Sequence, residues 1–244
     1  MNRLYVGFRK QLELPKGGFL LISDEVVAFP RARVFDPLKH SFNPLKGIDY
    51  KKAREIADVL YTVYPQGENT LTVRNGKRAL LKALLDAKSL DKIYGDEEVN
   101  GLVGDLMASP VLERVLCNST NFSFSPHSSI VARLNRAELG DFDCLVLGLF
   151  LMAHFKGQVI VPDFGFYGRE SHVSLIRDGR LMAGVNFLDE LPDKLRKAGL
   201  LIEDKVGMGA TVDDAETLAR YAGYRPDRLR EDNEFNRFVE EAMA

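Results

Sequence analysis

Short apolar runs alternate with amphipathic segments along most of the chain. Near-continuous apolar runs of four to eight residues, bounded by turn residues, predict strands that are buried on both faces. The clearest are GFLLIS (18–23), RARVFDP (31–37), SSIVARL (128–134), GQVIVPDF (157–164), LMAGVNF (181–187) and GLLIEDK (199–205). Shorter strand candidates are LYVGF (4–8), QLEL (11–14) and NFSF (121–124).

Apolar residues at helical spacing predict helices between these strands. The segments are 48–64, 74–88, 97–108, 110–116, 140–155, 170–180, 188–198, 213–223 and 232–244. Asp49 is the predicted N-cap of the first helix. The segment 140–155 is apolar on nearly every face, so we expect it to be buried. Asn75-Gly76-Lys77 lacks an upstream glycine and a preceding strand, and is interpreted as part of an ordinary helix.

Alternation of strands and helices predicts parallel pairing, with helices covering both faces of the sheet. A length of 244 residues suits one α/β domain, and we expect that domain to span residues 1–244. The mostly helical segment 48–116 is then predicted to be a helical insert against the sheet.

Composition excludes several classes of function. The net charge of −2 argues against a broad polybasic surface, although it leaves a local basic patch open. Two cysteines make no disulfide framework, and the four histidines show no ligand spacing for a metal. There is no G-x-S-x-G motif of a serine hydrolase. The N-terminus lacks the apolar run of a signal peptide, and the longest apolar stretch is too short to span a bilayer, so we expect a cytoplasmic protein.

Three stretches carry candidate chemistry. Asp163 ends a buried strand, where a carboxylate can hold a magnesium-bound water or, alternatively, cap the next turn. Asp36 ends another strand and opens a proline-framed loop with Lys39 and His40, which is either a substrate loop or a simple connection. Arg180 follows a glycine before a strand, where a guanidinium can clamp a phosphate or simply be solvated.

Taken in order, these stretches resemble the P-loop motor ATPases of the FtsK and HerA superfamily, which includes conjugative coupling proteins and viral DNA-packaging ATPases. FDPLKHSFNPLKG (35–47) is similar to the family segment in which a strand ending near D-P-K is followed by NPL. Residues 128–140, 141–155 and 158–163 resemble its next strand, its buried helix and its Walker B strand. The resemblance covers residues 18–224. It implies a RecA-like, P-loop-type α/β fold with a mainly parallel sheet flanked by helices.

The departures from the family concern its catalytic parts. The phosphate loop G-x-x-x-x-G-K-[ST] belongs between residues 23 and 33, where this chain has SDEVVAFPRA without glycine or lysine. Asp24 and Glu25 there would repel a triphosphate. The glutamate that activates water in the family is replaced by Phe164. Loss of the phosphate loop and the base points away from an efficient ATPase.

Two functional hypotheses follow from the resemblance. The first is a degenerate, non-hydrolysing pseudo-ATPase that acts as a binding or assembly component of a DNA packaging or translocation machine. The alternative is an active ATP-dependent DNA-translocating or packaging ATPase with an unorthodox phosphate loop. The alternative requires Mg²⁺ and ATP: Lys16, Gly17 and Gly18, or Lys39 with His40, would supply the phosphate cradle, and Asp36 is a further candidate for nucleotide binding. Asp163 would hold the metal, and Arg180 would assist catalysis.

The resemblance also implies partners. DNA is one, and Arg and Lys residues in 74–78 and 227–230 are candidates for its contact, with ordinary solvated helix faces as the alternative. The ring-forming habit of the family implies a homo-oligomer, or assembly with other motor or virion proteins, in a bacterial or archaeal cell or a virus-infected host.

Overall fold

The computed structural model describes residues 3–6, 15, 17–24, 31–63, 70–169, 172–185, 191, 195 and 202–206. The chain divides into two compact units. We call Gly17–Gly157 the central unit, and Met1–Lys16 with Gln158–Ala244 the terminal unit.

Strands and helices alternate as the sequence predicts. The strands are β1 (Arg3–Val6), β2 (Phe19–Ser23), β3 (Arg33–Phe35), β4 (Ile130–Arg133), β5 (Gln158–Val161), β6 (Leu181–Val185) and β7 (Ile202–Val206). The helices are α1 (Tyr50–Val63), α2 (Thr70–Asp86), α3 (Glu97–Met107), α4 (Pro110–Cys117), α5 (Arg136–Leu139), α6 (Asp141–His154), α7 (Phe164–Tyr167) and α8 (Val173–Arg177). A 3₁₀ helix covers Leu90–Lys92.

The central unit contains three parallel strands in the order β3-β4-β2. Ile130 of β4 lies beside Leu20 on one side and Arg33 on the other. Four helices and the 3₁₀ helix lie between β3 and β4 in the sequence. They fill the predicted segment 48–116, and its status as an insert stays a prediction.

The described part of the terminal unit contains four parallel strands in the order β5-β6-β1-β7. Val159 of β5 lies beside Leu181 of β6, and Arg3 of β1 lies beside Met182. Every strand pairing within the two units is parallel. The predicted fold class, an α/β fold with parallel strands flanked by helices, is confirmed.

Helix ends follow their sequence signals. The Asp49 carboxylate accepts a hydrogen bond from the Lys52 N–H at 2.7 Å, which confirms the predicted cap of α1. Asp96 and Ser109 cap α3 and α4 in the same way. Asn75-Gly76-Lys77 lies inside α2, as expected of an ordinary helix, and there Gly76 leaves room for the hydroxyl of Tyr61.

The core of the central unit is built on α6 and a cluster of rings. Eight of the fourteen residues of α6 are buried, as its uniform apolar pattern predicts. The ring cluster joins Phe35, His40, Phe42, Phe122, Phe124 and His154 at centroid distances of 4.9–6.0 Å. No helix of the described part of the chain is long and apolar enough to cross a membrane.

One predicted strand is wrong. NFSF (121–124) is irregular, and the backbone N–H groups of Asn121 and Phe122 donate to the carbonyl of Ser41. The alternating phenylalanines serve the ring cluster, so a strand-like pattern arises here without sheet pairing. The predicted strand 11–14 and the helices at 213–223 and 232–244 lie outside the described residues, as does nearly all of 188–198.

Candidate functional site

The carboxyl ends of the central strands form the first candidate site, because ligands of parallel α/β sheets bind there. Ser23, Phe35 and Arg133 are the last residues of β2, β3 and β4. The strands are in register, with Ser23 beside Arg133 and Phe35 beside Ala132, so their ends form one edge. Asp24 and Asp36 follow directly on this edge.

The charged side chains of this edge pair with each other. The nitrogen–oxygen distances are 3.5 Å for Lys39–Asp36, 3.9 Å for Arg133–Asp36, 2.6 Å for Arg133–Glu138 and 3.2 Å for Arg136–Asp24. Three carboxylates therefore face three cations. A triphosphate needs an excess of positive charge or free backbone N–H groups. The paired set offers no such excess.

The loop that begins at Asp36 uses its polar groups internally. The Asp36 carboxylate accepts from the Leu38 N–H at 3.0 Å, and Nδ1 of His40 accepts from the Asp36 N–H at 2.9 Å. Asn43 accepts from the Leu45 N–H at 2.8 Å and donates to the carbonyl of Lys88 at 2.7 Å. These contacts favour the interpretation of this loop as a rigid connection over that of a substrate loop.

Replacing Asp36 by alanine should lower the free energy of unfolding by about 1–2 kcal/mol, because the buried carboxylate satisfies the Leu38 N–H and pairs with Arg133. The side chain of Lys39 is 75% exposed, and Lys39→Ala should change the same free energy by less than about 0.5 kcal/mol. Urea unfolding of both variants measures the difference. Equal losses for the two variants would contradict the structural role of Asp36.

The residues Lys16, Gly17 and Gly18 were the alternative phosphate loop. Lys16 lies outside the described residues, while Gly17 and Gly18 precede β2. β2 separates these glycines from the edge that carries Asp36 and Lys39. Its five residues span roughly 16 Å. The structure therefore does not bring the two predicted groups of nucleotide-binding residues together. A β-carbon at Gly18 would lie 2.4 Å from the carbonyl oxygen of Pro126, which accounts for that glycine by packing.

Asp163 lies where the sequence predicts, at the carboxyl end of β5 in the terminal unit. Its side chain is partly exposed. Its backbone carbonyl accepts from Phe166 and Tyr167 at 3.2 and 3.3 Å, while its carboxylate does not cap α7. The carboxylate therefore does not cap α7, and its role at a metal stays a prediction.

The residue after Asp163 belongs to the core. Phe164 is fully buried and packs against His172, with ring centroids 5.7 Å apart. Burial, together with the charge of Arg169, lowers the pKa of His172 to about 3. Nδ1 of this neutral imidazole accepts from the Arg169 N–H at 3.0 Å. A buried imidazole of such low basicity does not replace the missing glutamate as a base.

Arg180 lies at the opposite end of the strands from Asp163. It precedes β6, and its carbonyl accepts from the Val159 N–H and the Gln158 side chain, both at 2.8 Å. Parallel register thus places it beside the start of β5, roughly 16 Å along the strand from Asp163. Its guanidinium donates to Asp178 at 3.3 Å. The structure does not bring Arg180 and Asp163 together, and the catalytic role of Arg180 stays a prediction.

The described residues do not build a metal centre. They include no group of three or more histidine, cysteine, aspartate or glutamate side chains that could hold a metal ion. Asp163 supplies one carboxylate, and magnesium held by so few protein ligands relies on substrate phosphates. The residues at hand therefore do not fit a protein-held magnesium site.

Comparison with known proteins gives no family. The chain matches no protein-family model, no curated protein and no solved structure. The likeness to motor ATPases thus depends on the order of segments quoted above.

The sequence alone did not identify the cations that pair with the carboxylates at the carboxyl ends of the central strands. Arg133 ends β4, and Arg136 begins α5 directly after the capping Asn135. The sequence did contain an indication of these cations. In a parallel sheet the carboxyl ends of the strands lie at one edge, so arginines at the end of one buried strand lie at the same edge as Asp36 at the end of another. What the sequence does not reveal is that β3 and β4 are adjacent, and this adjacency places Arg133 beside Asp36.

Proposed function

We propose that this chain is a degenerate motor-type α/β protein that neither binds nor hydrolyses ATP efficiently. It acts as a binding or assembly component of a machine that packages or translocates DNA. The observation that carries the proposal is the mutual pairing of charges at the carboxyl ends of the central strands, where Asp36 and Asp24 engage Arg133, Lys39 and Arg136. A nucleotide would have to break these pairs before its phosphates met a cation.

Two further observations support the loss of catalysis. Phe164 places a fully buried ring at the position of the water-activating glutamate of motor ATPases. Arg180, the predicted phosphate clamp, pairs with Asp178 at the far end of the strands from Asp163. Positioning and electrostatic stabilisation make up most of phosphoryl-transfer catalysis, and both are weakened here. The role in a DNA machine and the self-assembly come from the resemblance.

Calorimetry with magnesium and ATP tests the proposal. We expect no heat of binding at about millimolar ATP, which corresponds to a binding free energy weaker than about −4 kcal/mol. Asp163→Ala should also show no heat of binding, and ATP should leave the melting temperature of this variant unchanged. Lys39→Ala tests the other candidate nucleotide-binding group, at the carboxyl ends of the central strands, and should also leave the absence of ATP binding unchanged.

The competing hypothesis is an active translocating or packaging ATPase. Magnesium-dependent binding that is lost in Asp163→Ala would support it and overturn the proposal. Sedimentation of the wild-type chain over a range of concentrations tests self-assembly separately. A monomer at all concentrations would restrict the proposed assembly to other partners.

A further inference from the structure

A surface rich in lysine surrounds the start of α1. It consists of the loop before the helix, the first turn of the helix, and two neighbouring segments. Its members are Lys46, Lys51, Lys52, Lys88 and Lys156, together with the tyrosine at the helix start, Tyr50. We call this set the lysine surface.

Hydrogen bonds and charge interactions hold these segments together. Nζ of Lys52 donates to the carbonyl of Lys46 at 3.2 Å, and Asn43 of the same loop donates to the carbonyl of Lys88 at 2.7 Å. Burial lowers the pKa of Lys52 and so does the charge of Lys156, whereas the charges of Asp49 and Glu55 raise it. These interactions place the loop, the first turn of α1 and the segments that carry Lys88 and Lys156 next to one another.

The positive charge of this surface is only partly neutralised. Asp49 uses its carboxylate to cap α1, and Glu55, with a side chain only 15% exposed, lies 3.7 Å from Nζ of Lys156. Lys46, Lys51 and Lys88 are exposed and form no ion pair with any described residue. Five lysines against two carboxylates concentrate positive charge on a chain whose net charge is −2.

The placement of these lysines works against helix stability. The first turn of α1 contains Lys51 and Lys52 and no acidic residue. The positive end of the helix dipole lies there, so cations destabilise this end and acids stabilise it. The Asp49 cap and the contact of Lys52 with the Lys46 carbonyl offset part of this cost, whereas Lys51 forms no ion pair with a described residue. A residue that breaks a local stability rule in this way is a candidate for a functional role. An anionic partner would convert the repulsion into binding.

The exposed ring decides between classes of anionic partner. The side chain of Tyr50 is 63% exposed and directly precedes Lys51 and Lys52. Lysines that follow a phosphate backbone, with an aromatic ring on which bases stack, are the usual means of binding single-stranded nucleic acid. An acidic peptide would use the charges and leave the ring without a role. A duplex keeps its bases stacked on each other.

We propose that the lysine surface binds single-stranded nucleic acid, with the lysines on its phosphates and Tyr50 stacked on a base. This inference rests on the proposed function, since it gives the binding component a partner. The candidate contact at 74–78 stays a prediction: Lys77 pairs with Asp58 at 3.1 Å, Arg78 is exposed, and the side chain of Arg74 is not described. The candidate contact at 227–230 lies outside the described residues.

Fluorescence anisotropy with a labelled thymidine oligonucleotide of about 20 residues tests the inference, at low salt and without nucleotide. The double variant Lys46→Glu/Lys51→Glu should bind at least about tenfold more weakly. It should also reduce the slope of log K against log salt by at least about 1.4. Lys82→Glu, at an exposed lysine of α2, is the charge control and should change affinity less than about threefold.

The tyrosine has its own matched control. Tyr50→Ala should weaken oligonucleotide binding about tenfold and leave binding to a duplex of the same length unchanged. Tyr94→Ala removes a ring that is 77% exposed elsewhere and should have no effect. Lys51→Glu alone should keep or raise the melting temperature, because an acid suits the first turn of a helix. Lost binding then does not reflect lost folding.

Several outcomes would overturn the inference. They are no oligonucleotide binding at low salt, equal losses in the lysine variant and Lys82→Glu, and equal loss of duplex binding in Tyr50→Ala. Binding of polyglutamate that the oligonucleotide does not displace would assign the surface to an acidic protein instead. The calorimetric result with ATP is independent of all these measurements, so failure of the proposed function and failure of this inference are distinguishable.

Discussion

Replacing Gly18 by alanine should lower the free energy of unfolding by about 2–3 kcal/mol, the cost of forcing an extra methyl group into a closed space. A β-carbon at this position would lie 2.4 Å from the carbonyl oxygen of Pro126 and 2.4 Å from the carbonyl carbon of His127. Both atoms belong to backbone, so a side-chain rotation cannot relieve the contact. The turn before β4 has to move, and β4 lies between β2 and β3.

The neighbouring glycine provides the control. A β-carbon at Gly17 meets nothing within 4 Å, so Gly17→Ala should change the free energy of unfolding by less than about 0.5 kcal/mol. Urea unfolding followed by circular dichroism measures both variants. If the two glycines instead formed a phosphate loop, both substitutions would weaken ATP binding and their effects on stability would be similar. That pattern would contradict the packing role of Gly18.

The buried strands could be predicted from sequence because parallel strands are covered on both faces. FLLIS, IVAR and QVIV are near-continuous apolar runs, and each forms a strand of the structure. The strand predicted at 121–124 is wrong. Phe122 and Phe124 alternate with polar residues because both rings pack in the ring cluster, and this segment does not join a sheet. Periodicity reports that side chains are buried. It does not report what the backbone N–H groups pair with.

The candidate site was less predictable than the fold for a related reason. A carboxylate at a strand end is visible in the sequence, and both Asp36 and Asp163 lie where expected. Whether such a carboxylate is already paired with a cation depends on which strand lies next to it. Arg133 comes 97 positions after Asp36 in the sequence, and only the β3–β4 pairing brings it within 3.9 Å. Arg180 precedes β6 and lies beside the start of β5, so the structure places it and Asp163 at opposite ends of the same strands.

Acidification should destabilise the protein well above the pH at which its exposed carboxylates titrate. Burial lowers the pKa of His154 to about 4, with a further contribution from the charges of Lys52 and Lys156. The pKa of His172 is lowered to about 3, mainly by burial. Neither folded imidazole binds a proton until the pH falls near these values, whereas the unfolded imidazoles do so near pH 6.5. Their contribution to stability is thus complete above pH 6.5 and is lost as the pH falls toward 4.

At pH 5 each histidine should lower the free energy of unfolding by about 2 kcal/mol relative to neutral pH, and the two together should lower it by about 4 kcal/mol. The urea midpoint at pH 7.5 and at pH 5 measures this loss. His154 lies in the central unit and His172 in the terminal unit, so probes of each unit should both shift.

Variants assign the effect to particular rings. His154→Gln removes a group that titrates, and its unfolding free energy should lose about half of the pH dependence between 7.5 and 5. His127 is exposed, so His127→Gln should retain all of that dependence. A flat stability profile in the wild type, or an equal change in both variants, would contradict the buried neutral state. Such a state fits a ring cluster that serves packing, because Nδ1 of His154 is buried and has no hydrogen-bond partner among the described residues. A proton added there would place a charge between Phe42 and Phe124 with no acceptor to offset it.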